Sequence, residues 1–185
     1  HGWREIVVNG LVSELRGRAS AAPAGTGAAS QGPGPGGTIS LDGLEALELA
    51  ASAHVAAGSR LLPVVREMFH LAANLALRLP TAAVIWKPTR TMLEPRHFAR
   101  IVYDWLAGGT FPALGLSLLS TDGDGGVSSR GLAHFAGQEF RLEARPGEAP
   151  ADSVRLAVQA ADWLVRNGPL ATKRVIAGGR EALVA

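Results

Sequence analysis

Residues 81–98 read TAAVIWKPTRTMLEPRHF, residues 111–120 read FPALGLSLLS, and residues 128–144 read SSRGLAHFAGQEFRLEA. Ala82–Trp86 is a continuous apolar run between Pro80 and Pro88, the pattern of a strand buried on both faces. Pro95 can open a helix whose inner face is Phe98, Ile101, Val102 and Trp105, with Gly108-Gly109 as its stop. Ala113–Leu119 reads as a second apolar strand, Asp122–Gly126 as a turn, and Gly131–Ala136 as a short helical turn closed by Gly137. Phe140 and Leu142 alternate with Glu139, Arg141 and Glu143, the period of two of a half-exposed or edge strand.

Working outward, Leu61, Val65, Met68, Ala72, Leu75 and Leu79 form one stripe, widened by Leu62, Phe69 and Ala76. The spacing predicts a helix over 60–79, capped by Ser59 and stopped by Pro80. Residues 41–51 are rich in Leu, Glu and Ala and read as helix, and 52–57 as a short strand. Trp3, Ile6, Val7, Leu11, Val12 and Leu15 have helical spacing, although the Ile-Val-Val run also fits a strand. A last helix, capped by Asp152 or Ser153, buries Val154, Ala157, Val158, Ala161, Leu164 and Val165 and ends at Asn167-Gly168. Residues 175–184 suggest a short strand around a Gly-Gly turn.

These elements predict an α+β sandwich, with a mixed β-sheet of about 4–6 strands covered by amphipathic helices. The segments around Val84 and Leu116 are expected side by side in that sheet. Residues 19–37 are a Pro/Gly/Ala-rich stretch with almost no large apolar side chain, expected to be a flexible linker. The organisation expected is therefore an N-terminal helix or strand plus linker over 1–40, and one α+β domain over 41–185. Residues 32–37, GPGPGG, match the spacing of a dinucleotide fingerprint. No strand is expected before them, and their prolines lack the N–H donors a phosphate loop needs.

Composition narrows the function classes. There is no cysteine, which excludes disulfides, thiolate catalysis and Cys-based zinc sites and fits a cytoplasmic setting. The formal net charge is +2 and arginine is spread along the chain, so no nucleic-acid footprint is expected. No apolar run approaches the roughly 18 residues of a membrane span. The chain begins with His1, so a missing N-terminal signal carries no information. Usage rich in Arg, Ala and Gly and poor in Lys suggests a bacterial genome of high GC content.

The order of Trp86 at a strand end, a Pro95-started helix with Phe98, then Arg130-Gly131-Leu132, Phe135, Gly137 and Glu139 before a final helix resembles the bacterial DUF4261 family. The resemblance spans about residue 50 to the C-terminus. It departs from the family pattern at Ala136, which separates Phe135 from Gly137, and in the N-terminal Pro/Gly insert. What the resemblance implies is a fold and a soluble bacterial context. The family's role is uncharacterised, so no catalytic residue is carried over.

Several groups could carry chemistry. His97 and His134, with Glu139 or Asp104, could assemble a metal site or a hydrolase's acid/base pair at long range. The simpler reading is two partly exposed histidines with local hydrogen bonds. Asp122 and Asp124 lie after a predicted strand, yet lack calcium-loop spacing and read as turn formers. Gly131 could reverse the chain with a positive φ, and Arg130 could pair with Glu139 or hold an anion. Trp105 and Trp163 read as core anchors. Trp86 could line a groove with a basic rim from Lys87 and Arg90. No nucleophile elbow, Ser-x-x-Lys or P-loop occurs. The chain is therefore expected to be a binding or protein-interaction module without cofactor or metal, possible immunity-like roles included. Its partner surface is expected from Trp86, Lys87, Arg90, His97, Arg130, His134 and Glu139, with a protein as the possible partner. The rival expectation is a hydrolase using His97, His134 and nearby carboxylates.

Overall fold

The computed structural model describes residues 3–18, 30–31, 43–145, 147, 149–170, 174–177 and 180–184. The fold is α+β, as the pattern predicts, with its strands distributed over three small sheets. Contacts divide the chain into two compact units. One comprises 1–85 and 90–107, the other 86–89 and 108–185. The expectation from sequence drew its line near residue 40.

The first unit opens with a hairpin of β1 (Trp3–Val8) and β2 (Leu11–Arg18). Asn9 and Gly10 link the strands with φ of 51° and 79°, the two left-handed residues of a tight hairpin turn. The helical spacing of 3–15 loses to this turn. β4 (Ala46–Ala51) pairs antiparallel with β2, from Ala46 opposite Arg18 to Ala51 opposite Ser13. Residues 41–51 were expected as helix. Their helix-forming composition yields to strand pairing because tertiary partners outweigh propensity. The expected strand at 52–57 is instead a 3-10 turn, Ala53–Gly58.

Helix α1 (Leu62–Arg78) follows, with Pro63 in its first turn. Leu61 occupies the N-cap position, while the Ser59 hydroxyl donates to Ala56 O at 2.8 Å, so Ser59 closes the preceding turn rather than capping α1. β3 (Ser30–Gln31) runs parallel to β6 (Thr91–Leu93), whose other neighbour is β5 (Val84–Trp86). The segment expected to be buried on both faces is half-buried throughout β5, whereas β6 is buried. α2 (Pro95–Leu106) then packs on α1. The Phe69 ring meets Phe98 at 6.1 Å and Trp105 edge-on at 6.0 Å. Arg66 lies over Trp105 at 5.2 Å and donates to Leu106 O at 2.8 Å. Val65, Phe69, Ala73 and Ala76 of α1 and Phe98, Ala99, Val102 and Trp105 of α2 are buried.

The second unit has a five-stranded antiparallel sheet in the order β10-β11-β9-β8-β7. Its strands are β7 (Leu118–Thr121), β8 (Val127–Arg130), β9 (Phe140–Leu142), β10 (Arg174–Ala177) and β11 (Arg180–Val184). The strand expected at 113–119 is split. Ala113–Leu116 is a single helical turn, α3, and only then does the chain extend. Leu116 is therefore not a sheet neighbour of Val84. Pro112 favours this turn: its carbonyl accepts from Gly115 and Leu116 N–H groups. β9 buries Phe140 and Leu142 between two neighbours rather than forming an edge. α4 (Ala133–Ala136) ends at Gly137 with φ 79°, as expected.

α5 (Pro150–Asn167) covers the sheet and buries Ser153, Ala157, Ala160, Ala161, Leu164 and Val165. Ala149 is its N-cap, with Pro150 in the first turn, so neither Asp152 nor Ser153 takes that position. Asp162 of α5 accepts from Phe111 N–H at 2.7 Å and from Arg166 Nε at 2.9 Å, tying the helix to the chain entering α3. The expected linker over 19–37, with its fingerprint-like 32–37, lies outside the described residues apart from β3.

Candidate functional site

The loop Lys87–Arg90 joins β5 to β6, and its first three residues belong to the second unit. Trp86 is half-buried there. Its Nε1–H donates to Leu116 O at 2.8 Å, which fixes the indole plane. The His134 ring stands edge-on to it at 4.9 Å and the Phe135 ring lies at 5.6 Å. Phe135 in turn contacts Phe111 at 4.8 Å. α4 thus presents His134 and Phe135 together because one helical turn places consecutive residues on adjoining faces.

Arg130 ends β8 and Gly131 turns the chain into α4 with φ 86°. A Cβ on Gly131 would overlap Thr89 Cγ2 and lie 3.9 Å from Pro88 Cβ. Only glycine lets the Pro88–Thr89 corner approach this closely. That approach brings the Lys87 and Arg130 segments together, and both residues are exposed.

Glu139 is the residue whose role differs most from expectation. It does not pair with Arg130. Its carboxylate accepts from Gly131 N–H at 2.7 Å, Ala133 N–H at 3.1 Å, Leu132 N–H at 3.2 Å and the Ser129 hydroxyl at 2.7 Å. It satisfies the otherwise open N–H groups at the start of α4 and thereby holds the turn that presents His134. Ser129, buried on β8, also accepts from Phe140 N–H at 2.9 Å. The alternation of Val127 and Ser129 on one face of β8 was the available signal for this partnership.

His97 and Arg90 belong to the first unit. His97 lies in the first turn of α2, where its N–H donates to Glu94 at 2.7 Å and its Nδ1 is 3.0 Å from Arg100. The N–H groups of Arg96 and His97 hold the Glu94 carboxyl below its usual range. Arg90 is exposed with φ 56°. Asp104 lies on the same helix, 3.9 Å from Arg100. Among the described residues, no three His, Asp or Glu side chains converge as a metal cluster would require.

At the opposite end of β7 and β8, Asp122 and Asp124 are consumed by the turn. Ser128 donates to Asp122 at 2.7 Å, Gly126 N–H donates to Asp124 at 3.0 Å, and Arg141 bridges both carboxylates. These bonds, Ser128 and then Arg141 for Asp122, Gly126 and then Arg141 for Asp124, hold both carboxyls below their ordinary range. The two aspartates raise the Arg141 guanidinium in return, Asp124 more than Asp122.

Phe111 is 1% exposed. The large apolar side chains left at the surface include Val7, Leu44, Leu47, Leu61, Leu77 and Leu79 in the first unit and Leu114 in the second. The first unit also has a small recess of about 10 Å³ between the hairpin sheet and α1, walled by Val8, Leu11, Val12, Val64, Met68 and Leu71. This is far below the roughly 300–1,000 Å³ of small-molecule sites. Among the described residues, no helix is long and apolar enough to cross a membrane.

Comparison with known protein families, curated proteins and solved structures finds no match.

Proposed function

We propose that the chain is a non-enzymatic binding module of a bacterial cytoplasm that recognises a protein partner through the surface formed by Trp86, Lys87, Arg130 and His134. Within this reading belong the likeness to the DUF4261 pattern and an immunity-like role, in which the partner is a protein to be neutralised. The observation that carries it is the meeting of three chain segments in one unit. The corner after β5 supplies Trp86 and Lys87, the end of β8 supplies Arg130, and α4 supplies His134. Tryptophan and arginine are the side chains most enriched where binding energy concentrates. The indole here is held by Leu116 O and two neighbouring rings, so little side-chain entropy remains to be lost on binding. Glu139 supports the surface through the N–H groups of Gly131, Leu132 and Ala133, while Arg90 and His97 belong to the first unit and are not part of this proposal.

A photo-crosslinking residue at Pro88 tests the reading in living bacteria. A discrete protein adduct is expected, lost when Trp86→Ala is added and absent when the crosslinker stands at Arg155. Equal labelling from both positions would count against it.

A further inference from the structure

We infer that Asn9 is a site of spontaneous covalent modification, converted by attack of the Gly10 backbone nitrogen into a mixture of aspartate and isoaspartate. The site lies in the first unit and is independent of the interaction surface proposed for the second. Of the chain's three asparagines, Asn9 and Asn167 are each followed by glycine and Asn74 by leucine. Glycine has no side chain to shield its amide from a neighbouring carbonyl carbon. What separates the two Asn-Gly pairs is the state of that amide. Gly168 N–H donates to Leu164 O at 2.8 Å, the closing bond of α5. Gly10 N–H has no hydrogen-bond partner among the described residues, and Asn9 and Gly10 are both exposed. An amide engaged in a helix bond reacts only from its opened state, whereas the turn amide faces water as it stands.

The chemistry balances with water alone. Hydroxide removes the Gly10 amide proton and the nitrogen bonds to Asn9 Cγ. The Cγ–Nδ2 bond breaks, and ammonia departs with a proton taken from water. The cyclic imide then takes up one water. Cleavage of the nitrogen–Cγ bond gives aspartate. Cleavage of the bond to the Asn9 main-chain carbonyl gives isoaspartate, which routes the main chain through Cβ and Cγ. In the structure Asn9 Nδ2 donates to Glu67 Oε2 of α1 at 2.9 Å. Ring closure requires that bond to be released, so Glu67 slows the reaction. Either product then works against the same contact. Aspartate puts a carboxylate where Nδ2 stood, against Glu67, and like charges at that range repel. Isoaspartate also lengthens the main chain of a two-residue turn with φ of 51° and 79°. Both products loosen the hairpin from α1, so the first unit weakens as the chain ages.

The test incubates the full chain at mildly alkaline pH and follows the three asparagines by peptide mass spectrometry. Zero-time samples correct for conversion during digestion, and fragmentation separates isoaspartate from aspartate. In the folded protein Asn9 is expected to convert at least about tenfold faster than Asn167, because a protected amide must first open. In concentrated urea the two rates should converge, and Asn74 should stay slow throughout. Glu67→Ala should speed Asn9 and leave Asn167 unchanged. Asn9→Asp, which is one of the two products, should lower the urea midpoint, and adding Glu67→Gln should recover part of the loss. An Asn9 that is stable in the folded chain yet reactive in urea would overturn the site. Equal folded-state rates at Asn9 and Asn167 would overturn the role of the free Gly10 amide. An Asn9 rate unchanged by Glu67→Ala would overturn the restraint by Glu67. An Asn9→Asp midpoint equal to that of the parent chain would overturn the consequence for the hairpin.

Discussion

At the scale of single residues, Gly131 and Glu139 decide whether the Trp86 surface exists. Alanine at 131 must adopt φ near 86° and place its Cβ against Thr89 Cγ2. A non-glycine residue in such a conformation costs on the order of 1–3 kcal/mol. Gly131→Ala is expected to lower the urea midpoint accordingly. Adding Thr89→Ser, which removes Cγ2 and keeps the hydroxyl, should recover part of the loss, and no recovery would refute the close-approach argument. Glu139→Gln replaces one acceptor oxygen with a donor facing N–H groups, for an expected loss of about 2 kcal/mol, since bonds to a charged partner are worth about 1.5–3 kcal/mol. Near-UV circular dichroism should report loosening of the Trp86–His134 pair. Ser52 is the opposite case. It is fully buried and its hydroxyl has no hydrogen-bond partner among the described residues, so Ser52→Ala should be neutral or stabilising in the same titration.

At the scale of elements, the hairpin turns carry the testable physics. The Asp122–Gly126 turn depends on two carboxylates held below their ordinary pKa. Such groups contribute stability that is fully present above the unfolded value, about 3.9, and is lost as pH falls through the lowered folded value. Acid unfolding of the second unit should therefore steepen below about pH 4. Arg141→Gln should flatten that dependence, as read by midpoints measured between neutral and acidic pH. An unchanged slope would show that the clasp is not a source of acid sensitivity. The Asn9-Gly10 turn needs left-handed backbone at both residues, and Gly10→Ala should cost the first unit about 1 kcal/mol or more.

The elements legible in the sequence were those whose cause is local. α1, α2 and α5 follow from apolar stripes bounded by Pro and Gly, and α4 from its closing glycine. Asn9-Gly10 was equally legible, being the strongest short hairpin signal, but the helical spacing of 3–15 obscured it. Residues 46–51 and 113–116 were not legible locally. The first are helix-formers by composition that pair with β2, and the second are strand-like residues wound into one turn behind Pro112.

At the scale of the whole molecule, two units each enclose their own core. Trp105 is 3% exposed in the first, and Trp163 is half-buried in the second. Gly131→Ala should therefore lower hydrogen-exchange protection chiefly in α5 and the five-stranded sheet, and Gly10→Ala chiefly in β1, β2 and β4. Equal loss everywhere for both variants would mean that the units unfold as one.

The sequence by itself determined the α+β class, the three long helices, the Asp-Gly turn and the half-buried strand at Phe140 and Leu142. Each depends on periodicity or turn chemistry within a few residues. Only the tertiary structure decided where the strands pair and what the polar groups do. Residues near 10 and 50 share a sheet, and Glu139 serves backbone N–H groups instead of Arg130. His97 and His134 fall in separate units. The reason is physical: strand partners and carboxylate partners are chosen by desolvation and hydrogen-bond geometry between segments far apart in the chain, and no local pattern of residues encodes that choice.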